Sequence, residues 1–311
     1  MQQLMRHYYS LFGLSCSSEL EFVNLVNIPM AEAPDVEIKL GQVPKTAEAT
    51  RIGVSDYATT SEFWLEIKNI ANFYVSRDQI IIDKHPQANN QDIKVFLVST
   101  VFAYLLYQRQ YLLLSGCALS INNRVCLICS NSSDGKSALA ASLVAYQGYS
   151  LLSDGLLVLT QDPETKSMSL VNNQLPLTLW QDSCEKLTIP YANLQRVRSS
   201  ILKYELPNYC GASEELLYPV QASAPSTVNH IIRLETHTSP EPIFESILAK
   251  EKMDSLLELA FCPQLFEENK VQTKANFKQH IALANCITMT KITRPHKYSY
   301  RDFATLVQEQ L

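Results

Sequence analysis

The chain has 311 residues, 46% of them hydrophobic and 18% charged, and a formal net charge of −5. That balance excludes disordered, collagenous and low-complexity classes, and 26 Lys and Arg against 31 Asp and Glu leave no basic footprint for a nucleic-acid backbone. Only eight residues are glycine, against roughly 7% in ordinary usage, so few positions can take positive φ without strain.

The opening, Met1 to Tyr9, carries charged and polar residues with no apolar core of a secretory signal. Residues 1–90 read as a β-rich domain. Val36, Ile38 and Leu40 alternate with charged neighbours, as do Phe63, Leu65 and Ile67, then Phe73 and Val75, then Ile80 and Ile82, the period of two expected of half-buried strands. Asn69 to Asn72 reads as a turn between two of them, and the polar stretch Pro44–Tyr57 as loop.

From Asp92 the period changes. Val95, Val98, Phe102, Leu105 and Leu106 recur at helical spacing, which predicts a helix ending near Gln108–Gln110. It is apolar nearly all round, the mark of a buried helix. The run Val95–Leu106 falls well short of the about 20 residues a spanning helix requires, so no membrane segment is expected.

A short strand at Tyr111–Leu114, the turn Asn122-Asn123 and a strand at Arg124–Cys129 come next. The polar segment Ser130–Asp134 leads into a helical run, Lys136–Tyr146, and a strand at Tyr149–Leu159 follows Gly148. Cys126 and Cys129 have the spacing of half a zinc site, yet they alternate with Val125, Leu127 and Ile128 as a buried strand does. The eight cysteines are scattered, which points to reduced thiols and a cytoplasmic protein. Beyond residue 161, a helix is expected near Gln181–Leu187, a strand at Val228–Glu235, helices over Ile243–Ala260, a strand at Cys286–Thr293 and a terminal helix at Ser299–Gln310. Lys270, Lys274 and Lys278 fall at i, i+4, i+8 and would share a solvated helix face.

The segment richest in chemistry is Ser130-Asn131-Ser132-Ser133-Asp134-Gly135-Lys136-Ser137. The phosphate-binding pattern G-x-x-x-x-G-K-[ST] needs a strand before it and a helix after it. Backbone N–H groups then curl around phosphates, the Lys reaches their charge and the hydroxyl meets Mg²⁺. Gly135, Lys136 and Ser137 stand in that setting, and Ser130 replaces the first glycine. The alternative is an ordinary strand-to-helix turn with a Ser or Asp cap. No G-x-S-x-G elbow or H-x-x-x-H pair is present. Cys117 reads as a structural thiol, and Trp64 and Trp180 as core or interface anchors.

From Tyr111 to Leu159, strand, loop, strand, phosphate loop and helix end in Leu151-Leu152-Ser153-Asp154-Gly155. This resembles the core of the HPr kinase/phosphorylase superfamily, with its L-[LI]-[AS]-D-D motif, and in particular the HPr kinase-related serine kinases, some of which phosphorylate lasso-peptide precursors. Pro34–Gly41, Leu179-Trp180-Gln181-Asp182, Arg196-Val197-Arg198 and Arg294-Pro295 also fit that pattern. The resemblance implies an α/β fold, a P-loop kinase core of the HPr kinase and PEP carboxykinase-like type over 91–311, with the smaller β-rich domain over 1–90. It further implies ATP and Mg²⁺ as cofactors, held by Ser130 to Ser137, with Ser137 and Asp154 on the metal and Asp154 in a catalytic role. A protein or peptide serine would be the acceptor. Relatives often form oligomers, and the apolar helix around Val95 offers an interface.

The departures are as informative. Ser115 replaces the family's histidine, Gly155 its second acidic residue, and Pro176 and Thr178 stand where relatives often carry basic residues. Two functions follow: an ATP-dependent serine kinase-like protein, or a catalytically degenerate accessory protein that binds nucleotide or peptide.

Overall fold

The computed structural model describes residues 6–45, 49–52, 54–130, 134–171, 173, 175–207, 227–237, 241–261, 270–295 and 298–311. The chain divides into two compact units, one of Met1–Tyr111 with Cys262–Phe277, the other of Leu112–Phe261 with Lys278–Leu311. The fold is mixed α/β.

In the first unit, β1 (His7–Leu11), β2 (Leu14–Ser18), β3 (Val26–Asn27), β4 (Val36–Leu40), β5 (Thr50–Arg51), β6 (Asp56–Ala58), β7 (Phe63–Ile67), β8 (Ala71–Val75) and β9 (Gln79–Lys84) form one sheet, in the order β3-β1-β2-β4-β9-β8-β7-β6-β5. The alternating residues read from the sequence fall on β4, β7, β8 and β9, and Phe63, Phe73, Ile80 and Ile82 are fully buried. The stretch expected to be loop holds two short strands, β5 and β6, at the sheet's edge. Between β1 and β2 the turn is Phe12-Gly13, both at positive φ, the two-residue geometry that matches strand twist.

The expected helix is present as α1 (Asn90–Phe96), a π-helical turn at Leu97–Val101, and α2 (Phe102–Gln108). Asn89 caps it by accepting from the Asp92 amide at 2.7 Å. Ser99 Oγ donates to the Val95 carbonyl at 2.5 Å, and such back-bonding competes with the helical ladder where it loosens into the π turn. Every residue from Val101 to Tyr107 is buried. Tyr104 stacks on Phe63 with ring centres 4.6 Å apart.

In the second unit the elements are β10 (Leu112–Ile121), β11 (Arg124–Cys129), α3 (Lys136–Gln147), β12 (Ser150–Gln161), β13 (Met168–Leu170), β14 (Leu177–Trp180), α4 (Gln181–Lys186), β15 (Lys203–Leu206), β16 (Val228–His237), β17 (Ile243–Ser246), α5 (Ala249–Glu258), α6 (Lys270–Cys286), β18 (Thr288–Pro295) and α7 (Tyr300–Gln308). α6 begins among first-unit residues and ends in the second. The larger sheet runs β13-β12-β10-β11-β16-β18-β17, and β14 pairs separately with β15. β11, β16 and β18 are parallel to one another, and the remaining pairs are antiparallel.

β11 shows how the sequence sorts the two faces. Val125, Leu127 and Cys129 pack with Leu256 of α5, Leu259 just beyond its end and Leu283 of α6. Cys126 and Ile128 pack with Leu139 and Leu143 of α3 and Phe303 and Val307 of α7. The two thiols thus face opposite sides, as period two requires, and burial pushes the Cys129 thiol up to about 12. Each large side chain so buried contributes roughly 1.5–3 kcal/mol relative to exposure.

Three expectations need correction. The short strand at Tyr111–Leu114 is instead the ten-residue β10, running unbroken to the turn at Asn122 and Asn123, both at positive φ. Gly116 permits this: a Cβ there would lie 2.5 Å from the Ile128 carbonyl oxygen, an approach no other residue tolerates. Ile243–Ala260 is not helical throughout, because Ile243–Ser246 pairs with β18 at the edge of the sheet and the helix starts only at Ala249. Cys286 closes α6, so the last strand is shifted to Thr288–Pro295. Lys274 and Lys278 are exposed on α6, as the spacing predicts.

Candidate functional site

The site forms where β11 ends and α3 begins. Gly135 stands at φ +89 immediately before the helix and supplies no side-chain cap. Gly135 itself therefore competes for none of the first-turn amides, and the helix dipole adds partial positive charge at the same point. Ser130 is buried, and Lys136 Nζ reaches back to its carbonyl oxygen and its Oγ, each at 3.2 Å. Asp134 accepts from Thr236 Oγ1 at 3.2 Å. Asn131, Ser132 and Ser133 lie outside the described residues.

Asp154 comes from the neighbouring antiparallel pair. It lies directly opposite Cys117 in the β10–β12 register, so both side chains share a face, the face packed by α3. Its carboxylate is buried and takes four donors. Ser137 Oγ at 3.0 Å and Cys117 Sγ at 2.9 Å donate to Oδ1, and the Thr178 amide at 2.8 Å and Thr178 Oγ1 at 2.9 Å donate to Oδ2. Burial first, and the adjacent Asp154 charge second, hold the Cys117 thiol well above its ordinary range. It is thus a proton donor to the carboxylate and not a thiolate nucleophile.

The positions where the chain departs from the resembled family can now be placed. Gly116 pairs with Cys129, the last residue of β11, and with Gly155 on its other side. Ser115 therefore lies one step beyond the end of β11, at the level of the loop. Gly155 is exposed at φ +91 with open space around it. Thr178 is no bystander, since it supplies two of the four donors to Asp154.

Sequence reasoning brought Ser130, Asp134, Gly135, Lys136, Ser137 and Asp154 into one place. It did not assign the Cys117 and Thr178 contacts, nor Thr236, nor Arg294, whose guanidinium lies beside Gly135. The departure at Pro176 and Thr178 was the one signal that pointed at Thr178. Among the described residues there is no cluster of three or more His, Cys, Asp or Glu side chains able to hold a metal by themselves. No helix among them is long and apolar enough to cross a membrane.

The second unit is thus a mixed α/β fold with a helix N-terminus at the carboxyl ends of parallel strands. No protein-family model matches the chain, and no curated protein matches it. Among solved structures it is similar to the Hpr(Ser) kinase/phosphatase from Coxiella burnetii, at 15% identity and a TM-score of 0.32, covering 64% of this chain and 95% of that one.

Proposed function

We propose that the chain is an ATP-dependent phosphotransferase-like protein that binds MgATP at the start of α3 through a phosphate loop, Ser130–Ser137, and acts on a hydroxyl of a protein or peptide. The observation that carries this reading is the 3.0 Å hydrogen bond from Ser137 Oγ to Asp154 Oδ1, in the first turn of a helix entered through Gly135 and Lys136. That contact sets a buried carboxylate behind the first-turn hydroxyl, the pair of oxygen ligands a Mg²⁺ site uses.

The donor set fits Mg²⁺. A hydroxyl and a carboxylate are hard oxygen ligands, and Mg²⁺ commonly takes one or two carboxylates and completes its shell with phosphate oxygens and water. Ser137 would hold it directly, with its hydroxyl proton directed to Asp154. When bound, the ion supplies charge neutralisation to the phosphates. Lys136 would exchange its contacts with Ser130 for phosphate oxygens, and the α3 amides would orient the same anion.

The degenerate reading also has support. All four donors on Asp154 must be kept or displaced, so service as a base toward an acceptor hydroxyl requires release of one of them. Ser115 and Gly155 offer no imidazole or carboxylate in compensation. MgATP titration by calorimetry tests the shared premise: Lys136→Ala should weaken binding about 10- to 100-fold, the worth of a charge-assisted contact. Equal failure of wild type and variant to bind overturns the proposal. If MgATP binds, incubation with serine-bearing peptides encoded beside the gene and mass spectrometry for added phosphate separates catalyst from binder.

A further inference from the structure

Two arginines on adjacent strands of the second unit have opposite surroundings. Arg233, on β16, is fully engaged: it donates to Glu235 Oε1 at 2.8 Å and Ser255 Oγ at 2.8 Å, and pairs with Glu258 Oε2 at 2.7 Å. Arg294, on β18, is nine-tenths buried, and its Nε has no hydrogen-bond partner. No carboxylate pairs with it among the described residues. A buried cation without a counter-charge is among the costlier things a fold can hold.

Its position gives the cost a purpose. Cys129, the end of β11, is level with Arg233 on β16 and Lys291 on β18. The two longer strands therefore continue past β11 and flank the space above it. There Thr236 and Arg294 are register partners. Thr236 holds Asp134, and the Arg294 guanidinium stands so close to Gly135 that a Cβ on that residue would lie 3.1 Å from Nη2. The Tyr300 ring, 5.3 Å from the guanidinium carbon, supports its plane, and Pro295 restricts the Arg294 backbone to extended conformations. The cation is fixed, its Nε is unsatisfied, and it is directed at a helix N-terminus entered through a glycine that offers no side-chain cap.

We propose that Arg294 is a second cationic ligand of the anion bound at the start of α3, donating to a polyphosphate from the side opposite Asp154. This rests on the nucleotide reading above for the identity of the anion, a nucleoside triphosphate, and adds the residue that would complete its charge neutralisation. The guanidinium fork suits two phosphate oxygens at once. No covalent step is assigned to it.

The test uses the full chain as wild type, Arg294→Met, Arg294→Lys and Lys136→Ala. MgATP affinity is read by calorimetry, and thermal unfolding is followed with and without MgATP or pyrophosphate. Arg294→Met should weaken MgATP binding about 10- to 100-fold, with Arg294→Lys between it and wild type. Without ligand, Arg294→Met should unfold at the same temperature as wild type or higher, because it removes an uncompensated buried charge and keeps the apolar stem; a purely structural arginine would give a lower one. Unchanged MgATP affinity in Arg294→Met, alongside weakening in Lys136→Ala, overturns this inference and leaves the function standing. A lowered unliganded melting temperature in Arg294→Met overturns it as well. If wild type ignores MgATP but pyrophosphate stabilises it and not Arg294→Met, the nucleotide reading falls and the anion ligand stands. If neither ligand shifts wild type, both fall.

Discussion

Asp154 and Arg294 approach the same helix start from different strands, and their surroundings are opposites. The carboxylate has a donor for each available direction, from Ser137, Cys117 and Thr178. The guanidinium has an aromatic ring behind it and an Nε that donates to nothing. A charge satisfied from within the chain holds the fold in place, whereas one left open is stable only in proportion to what arrives. The first belongs to the architecture of the site and the second to its occupancy.

Removing each group measures that contrast directly. Asp154→Ala should be the most damaging substitution, since it strands four donors, three from side chains and one from the backbone, in a buried place. A loss of about 3–5 kcal/mol is expected, read as a lower urea midpoint. The opposite sign is expected of Arg294→Met, as set out above, and equal destabilisation by both would erase the distinction. Next in size is Thr178→Val, which keeps the shape and the backbone amide but removes one donor to Oδ2. It should cost about 1–2 kcal/mol, and a neutral result would mean that Asp154 is not held from that side.

At neutral pH the smallest effect concerns Cys117, and it emerges only as pH rises. Its thiol is raised in the folded state by burial and by the neighbouring Asp154 charge, as is that of Cys16, to about 12, chiefly by burial. A raised folded value means that the native state holds the proton more tightly. The stabilisation is full below the ordinary thiol range of about 8.5 and is lost as pH rises above it. Urea midpoints should therefore fall between pH 8 and pH 10, and Cys117→Ala should flatten that fall by up to about 1.4 kcal/mol per pH unit. An unaltered slope would show that the thiol does not respond to the carboxylate beside it.

Much of this arrangement was legible in the sequence because it is local. Strand, polar loop and helix around Gly135 follow one another directly between Arg124 and Gln147, and periodicity alone places β11 and α3. The turn at Asn122-Asn123 was equally plain, since asparagine tolerates the positive φ that both positions adopt. What escaped was set by pairing across the chain. Cys117 meets Asp154 across 37 residues and Thr178 meets it across 24, through strand registers that no local pattern encodes. Ser115 and Gly116 read locally as loop residues, yet Gly116 lies within β10, where the space beside Ile128 admits no Cβ. Ile243–Ser246 reads with the helix that follows because four residues are too few to declare a period of their own.

Trp180 closes β14 and caps α4, two residues from Thr178, and is 52% exposed, whereas Trp64 on β7 is 7% exposed and donates to the Pro44 carbonyl at 2.8 Å. As the chain has only two tryptophans, each unit carries its own intrinsic fluorophore, one shielded and one open to quenchers. Iodide would extinguish the red-shifted emission of Trp180 while sparing Trp64. Any rearrangement of the β14 segment around Asp154 is therefore visible as light from a single indole, without a label and without disturbing the residues that do the holding.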